Sequence, residues 1–209
     1  MKNFDMKRIL EKLSNERKVF HSEADFQFSL AWKIKEEYSD YKIYLEWPVL
    51  TEDKNKYIDI VLEKDGKIIP IELKYNTKEL KYKNFNLKDH GARNLACYDY
   101  WKDIERVESL IINTNFEKGF CIFLTNDLGF LNKPRSNVGY KDFSIYENKR
   151  IFKKQLNWGK NIRKDNLNRR KEPINLKFNY QFNWENYCIL KDSKLNNDFR
   201  YLFTEIKNI

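Results

Sequence analysis

Apolar positions recur at helical spacing twice near the start of the chain. Met6, Ile9, Leu10 and Leu13 fall on one stripe and predict a short helix over residues 5–14. A second helix is expected after Ser22, which can cap it while Asp25 completes a capping box three residues later. Its buried stripe reads as Ala24, Phe28, Ala31, Ile34 or Lys35, and Tyr38, with Ser39-Asp40 ending it. Strands are expected over residues 42–49, 57–63 and 67–75. Residues 92–112 carry the longest helical pattern, with Leu95, Tyr98, Ile104, Val107, Leu110 and Ile111 as the inner face. Residues 119–125 are an unbroken apolar run, the pattern of a strand buried on both sides.

Past Asn126 the pattern weakens. Short strands are expected at 143–146, 150–156, 174–182 and 199–206, with an exposed, basic, Asn-rich loop over 159–172. Helix, three strands, long helix, strand is the order of an α/β fold with a mixed sheet flanked by helices. No repeat or Pro/Gly/Ser-rich linker divides the 209 residues. A single domain is therefore expected, with a core over about 20–127 and a β-rich C-terminal extension over about 128–209.

The most informative segment is residues 57–75. Asp65-Gly66 between two apolar runs is a strong hairpin signal, because a two-residue turn needs positive φ at both positions. That turn fixes the register. Lys64 faces Lys67, Leu62 faces Ile69, Ile60 faces Ile71 and Ile58 faces Leu73, an aliphatic face fit to pack on a helix layer. The opposite face pairs Val61 with Pro70 and Asp59 with Glu72. Asp59 and Glu72 are thus expected as a non-hydrogen-bonded cross-strand pair, Cβ atoms about 4.5–5.5 Å apart. Lys74, two residues on, points the same way. Like charges opposed across a sheet destabilise it unless neutralised, and carboxylate oxygens are what magnesium prefers. Both acids also sit among residues that favour burial, which argues against a hairpin face that simply meets water.

Charge adds a partner. The net charge of +9 favours a polyanion, nucleic acid foremost. Three widely spaced cysteines, Cys97, Cys121 and Cys188, suit free thiols in a reducing compartment and match no zinc spacing. The segment 1–13 lacks the apolar core of a signal peptide, and no run approaches the roughly 20 apolar residues of a membrane span. A cytoplasmic protein without membrane association is expected.

Asp59 followed a hairpin later by Glu72-Leu73-Lys74 on an apolar strand resembles the PD-(D/E)XK nuclease superfamily, with its restriction-endonuclease-like fold. The resemblance covers residues 22–125, although Ile58 rather than proline precedes Asp59. It implies a magnesium- or manganese-dependent hydrolase of DNA phosphodiester bonds. Asp59 and Glu72 would be metal ligands with the backbone carbonyl of Leu73, and Lys74 would orient the attacking water. Glu23, in the preceding helix, stands where many members carry a further acid that holds the water or a second metal. In the RecB-like exonuclease branch a Gln-x-x-x-Tyr pair on the next helix borders the site; Asn94 and Tyr98 have that spacing, with Asn in place of Gln.

Arg93, near the start of that helix, is a candidate phosphate contact. Lys160, Arg163, Lys164, Arg169 and Arg170, with Trp158 among them, form a basic loop suited to a phosphate backbone. Asp99, Asp103 and Arg106 read as a charge network on the helix surface. Repair, recombination and defence against foreign DNA remain open as settings, with partner proteins of such a system, as does a homodimer. The competing readings are a nucleic-acid-binding module without catalysis and a nuclease directed at RNA.

Overall fold

The computed structural model describes residues 4–49, 56–114, 116–162, 167, 170–193 and 195–207. Two helices open it. In α1 (Met6–Glu16), Asp5 caps the start by accepting from the Arg8 N–H, and Met6, Ile9, Leu10 and Leu13 are buried as their spacing foretold. Each such side chain contributes about 1.5–3 kcal/mol of burial. In α2 (Glu23–Glu37), Ser22 accepts from the Asp25 N–H, while the Asp25 carboxylate takes the His21 N–H. Of the expected stripe Ala31, Ile34 and Tyr38 are buried, whereas Ala24 is exposed and Phe28 is 59% exposed, with Phe26, Gln27 and Leu30 turned inward instead. Apolar residues occur on both sides of this helix, Phe28 and Trp32 outside, so periodicity alone could not choose between them.

Next come β1 (Lys42–Pro48), β2 (Tyr57–Lys64) and β3 (Lys67–Asn76), the small hairpin β4 (Leu80–Tyr82) with β5 (Phe85–Leu87), α3 (Arg93–Asn113) and β6 (Lys118–Thr125). Asp65 and Gly66 take φ of 52° and 75°, so the β2–β3 turn is the tight left-handed one the register needed. The ladder runs from Lys64–Lys67 to Ile60–Ile71 in that register. Strand β3 then pairs in parallel with β6. In β6, Phe120, Ile122 and Leu124 enter the core beside α1 and α2, while Cys121 and Phe123 enter the core beside α3. Burial on both faces is why the strand is apolar throughout.

The expected strand over 199–206 forms, whereas the other expected elements of the C-terminal third differ. Residues 150–156 and 174–182 each break into two two-residue strands: β7 (Arg150–Ile151), β8 (Gln155–Leu156), β9 (Ile174–Asn175) and β10 (Tyr180–Gln181). Residues 143–146 are not a strand, because Phe143 and Ile145 drop into the core from an irregular loop pinned by Trp101 Nε1 to Phe143 O. Two longer strands, β11 (Trp184–Ile189) and β12 (Asp198–Lys207), join the main sheet, whose order is β1-β2-β3-β6-β12-β11. The architecture is mixed α/β, a mixed six-stranded sheet with α1 and α2 on one face and α3 on the other. The extension packs over the outer side of α3. There, buried Glu108 accepts from the Lys177 and Phe178 N–H groups and the Tyr180 hydroxyl. Among the described residues, no helix is long and apolar enough to cross a membrane.

Candidate active site

The β2–β3 ladder ends one position short of Asp59, and Asp59 itself is the reason. The Leu73 N–H, which would otherwise continue the ladder, donates to Asp59 Oδ2 at 2.6 Å. The Asp59 carbonyl accepts from Gln27 Nε2 of α2, also at 2.6 Å. On the other edge, the β1–β2 pairing skips the Glu46–Asp59 position, and Glu46 takes a left-handed φ of 49°. Such a conformation costs a non-glycine residue about 1–2 kcal/mol and is concentrated at working sites. Gln27 also donates to Glu46 Oε1 at 2.8 Å, so one buried amide braces both distorted strands.

Glu72 is 2% exposed, and its carboxyl and that of Asp59 lie close enough for each to shift the other's titration. The two acids expected opposite one another are therefore brought near, although not as a regular ladder pair. Lys74 shares their face: its ammonium donates to the Leu73 carbonyl at 3.0 Å and lies 2.7 Å from Asp103 Oδ2. Glu23, the first residue of α2, reaches in from the side, accepting from the Tyr75 N–H at 2.7 Å.

Sequence reasoning missed two members. Asp103 is 3% exposed and Arg106 bonds Glu72, so these two α3 residues complete the cluster rather than decorating a surface. The Asp103–Arg106 pairing was readable from the three-residue spacing. Its burial was not, because nothing local shows that α3 lays this edge over β3. Gly119 allows that approach: a Cβ there would stand 2.5 Å from Val107 and 2.9 Å from the Pro70 ring.

The electrostatics follow from crowding. Burial, then Asp103 and Asp59, push the Glu72 carboxyl well above the usual range, against the pull of Arg106 and Lys74. Burial likewise raises Asp59 and Glu23, with Lys74 opposing in both cases. For Lys74, burial disfavours the charge but is outweighed by Asp103, Glu23, Asp59 and Glu72, so it stays protonated. Four carboxyl groups face two cations, and the upward shifts of Glu72, Asp59 and Glu23 show that the cluster resists carrying all four negative charges at once.

Among the described residues, no three His, Cys, Asp or Glu side chains form a ready cage for a metal ion. A magnesium ion does not need one, since it keeps several waters and takes one or two carboxylates. The donors present suit such an ion: two neighbouring carboxyl groups whose crowding raises their proton affinity, and the adjoining Leu73 carbonyl. Asp103 Oδ2 is also buried with no hydrogen bond, its contact with Lys74 being purely an ion pair.

The other candidates lie elsewhere. Arg93 is held in a bidentate pair by Asp127 and covers the Phe130 ring. Tyr98 is 4% exposed, stacked on Trp158, with its hydroxyl donating to Glu172 O, so it is a core residue and not a border of the cluster. Asn94 is half-buried on the first turn of α3. Lys160 is exposed. Arg170 is paired with Asp99, and Trp158 Nε1 donates to Arg170 O, which anchors this end of the basic loop. Arg163, Lys164 and Arg169 lie outside the described residues.

No family model matches this chain, and no curated protein matches it.

Proposed function

We propose that this chain is a metal-dependent nuclease of the PD-(D/E)XK type that hydrolyses phosphodiester bonds of DNA, on a restriction-endonuclease-like core. The observation that carries the reading is the clustering of the Asp59 and Glu72 carboxyls, each shifting the other's titration, with a protonated Lys74 on the same face. The element order, with β3 pairing β2 on one side and β6 in parallel on the other, supports the same assignment.

Asp59, Glu72 and the Leu73 carbonyl would hold magnesium or manganese. When bound, the ion supplies an activated water and neutralises charge developing on the phosphate. The chain's own groups do the rest. Lys74, kept charged by its four acids, places an ammonium beside the scissile phosphate, where it orients the attacking water and offsets negative charge. Glu23 provides an acceptor for that water from the α2 side. Asp103 and Arg106 position Lys74 and Glu72 respectively.

A second reading, a nucleic-acid-binding module of this fold that does not cut, is favoured by one observation. Arg106 already engages Glu72, and Asp103 already engages Lys74, so the cluster can satisfy much of its charge internally. Incubating single- and double-stranded DNA, and RNA, with the protein plus magnesium or manganese separates the readings. The nuclease reading expects DNA cleavage that a chelator stops and Lys74→Ala abolishes. Tight binding without cleavage under either ion establishes the module, and preferential cutting of RNA replaces the substrate.

A further inference from the structure

Away from the acid cluster, the C-terminal extension holds a second concentration of charge, of the opposite sign. A pocket of about 180 Å³ opens between the 133–134 segment, the 141–149 loop and β7. Its walls carry five cations, Lys133, Lys141, Lys149, Arg150 and Lys154, against one carboxylate, Asp142. Among the described residues, Lys133, Lys141 and Arg150 make no ion pair, and Lys154 meets Asp142 only at 3.8 Å.

Lys149 is the unusual member. It is 5% exposed, yet the groups its ammonium bonds are all neutral: the Asp142 and Ser144 carbonyls at 2.5 and 2.6 Å and the Ser144 hydroxyl at 3.4 Å. The Trp101 and Tyr146 rings lie 5.5 and 5.8 Å from it. A buried cation without a counter-anion is expensive. Burial accordingly holds its ammonium down to about 7, with Cys97 opposing, Lys154 adding to the depression and Asp142 opposing least. An anion in the adjoining pocket would supply the missing partner to Lys149 and offset part of the charge of the four cations around it.

We propose that this pocket is a phosphate-binding site, closed at its base by Lys149 and gated by Arg150, Lys154 and Lys133. A tetrahedral phosphate oxyanion suits the setting better than a planar carboxylate, because the cations line the pocket from three chain segments and several phosphate oxygens can accept at once. The site is separate from the acid cluster. Trp101, which covers Lys149, is two residues from Asp103 and so on roughly the opposite side of α3. The assignment does not depend on the nuclease reading. The phosphate could belong to a nucleic-acid backbone or be a free ion, and the recognition chemistry is shared.

The test is a calorimetric titration of inorganic phosphate into the full chain in chelator, against chloride at matched ionic strength. Chelation removes any phosphate held through a metal at the acid cluster, so this result and the nuclease assay fail independently. Wild type is expected to bind phosphate specifically, and Arg150→Glu, on the exposed rim, to weaken it about tenfold or more. Lys149→Met, an apolar side chain of similar length, is expected to abolish binding while remaining folded by circular dichroism. A parallel arm adds a short single-stranded oligonucleotide. Its displacement by phosphate identifies a backbone phosphate as the ligand, and its indifference identifies the free ion. Phosphate behaving as chloride does, or Arg150→Glu binding as wild type does, overturns the proposal.

Discussion

Asp103 lies between two cations: its Oδ2 is 2.7 Å from Lys74 Nζ and its Oδ1 is 3.1 Å from an Arg106 nitrogen. Through these contacts one buried carboxylate on α3 sets the positions of the two positive groups that face Asp59 and Glu72. Its truncation should therefore cost both structure and function. Asp103→Ala removes the anion shared by two partly buried cations, leaving Arg106 to Glu72 and Lys74 to the remaining acids, and is expected to destabilise by about 1–3 kcal/mol in urea unfolding. Asp103→Asn keeps the shape, and its expected effect is a fall of about tenfold or more in metal-dependent cleavage, through misplacement of Lys74. An Asp103→Asn enzyme that folds and cuts at the wild-type rate rules out the positioning role.

Glu108 ties the extension to α3. It is 1% exposed and satisfies two backbone N–H groups and the Tyr180 hydroxyl, all three reaching Oε1 and the Lys177 N–H also reaching Oε2. Glu108→Ala orphans all three donors, at about 1–3 kcal/mol for each group left buried without a partner. Proteolysis should then cut residues 170–182 earlier than in wild type. Unchanged protection of this segment contradicts the account.

Lys149 makes stability depend on pH with a definite sign. Its folded value of about 7 lies below the ordinary lysine value, so between the two the unfolded chain binds more protons. Stability should rise as pH increases through that window, by up to about 1.4 kcal/mol per unit, and the penalty is complete below pH 7. Cys97, Lys154 and Asp142 face the same ammonium, so the comparison is with Lys149→Met, which removes only this contribution. Parallel stability curves for wild type and variant between pH 7 and 9 show that Lys149 is not the titrating group.

At Gly119 the constraint is steric. A Cβ would meet both Val107 and Pro70 closer than 3 Å, so Gly119→Ala must push α3 off the sheet. A loss of about 1–3 kcal/mol is expected, as for other overpacked positions. Metal affinity should weaken too, because Asp103 and Arg106 move with the helix. A stability equal to that of wild type means that α3 has slack here.

What the sequence made legible is what local rules govern. The β2–β3 register followed from two turn residues with positive φ and an alternating pattern, and it held from Lys64–Lys67 to Ile60–Ile71. It lapsed at Asp59, where a side chain replaces a ladder carbonyl, a choice made by α2 through Gln27 rather than by the hairpin. Asp103 and Arg106 were visible as a pair and hidden as site residues, since their burial depends on how α3 crosses β3. Tyr98 had the right spacing for a border residue but was taken by the core of the extension. Strand β11 escaped because a bulge between Asn186 and Cys188 leaves Tyr187 and Cys188 both buried, breaking the alternation.

The central claim is that Asp59 and Glu72 share a divalent cation. The direct measurement is calorimetric titration of magnesium and manganese into wild type, Asp59→Asn and Glu72→Gln. Wild type should bind, and each variant should lose most of its affinity, since each removes one charged ligand from a two-carboxylate set. A wild type that takes up neither ion, or variants that bind as tightly as it does, contradicts the claim.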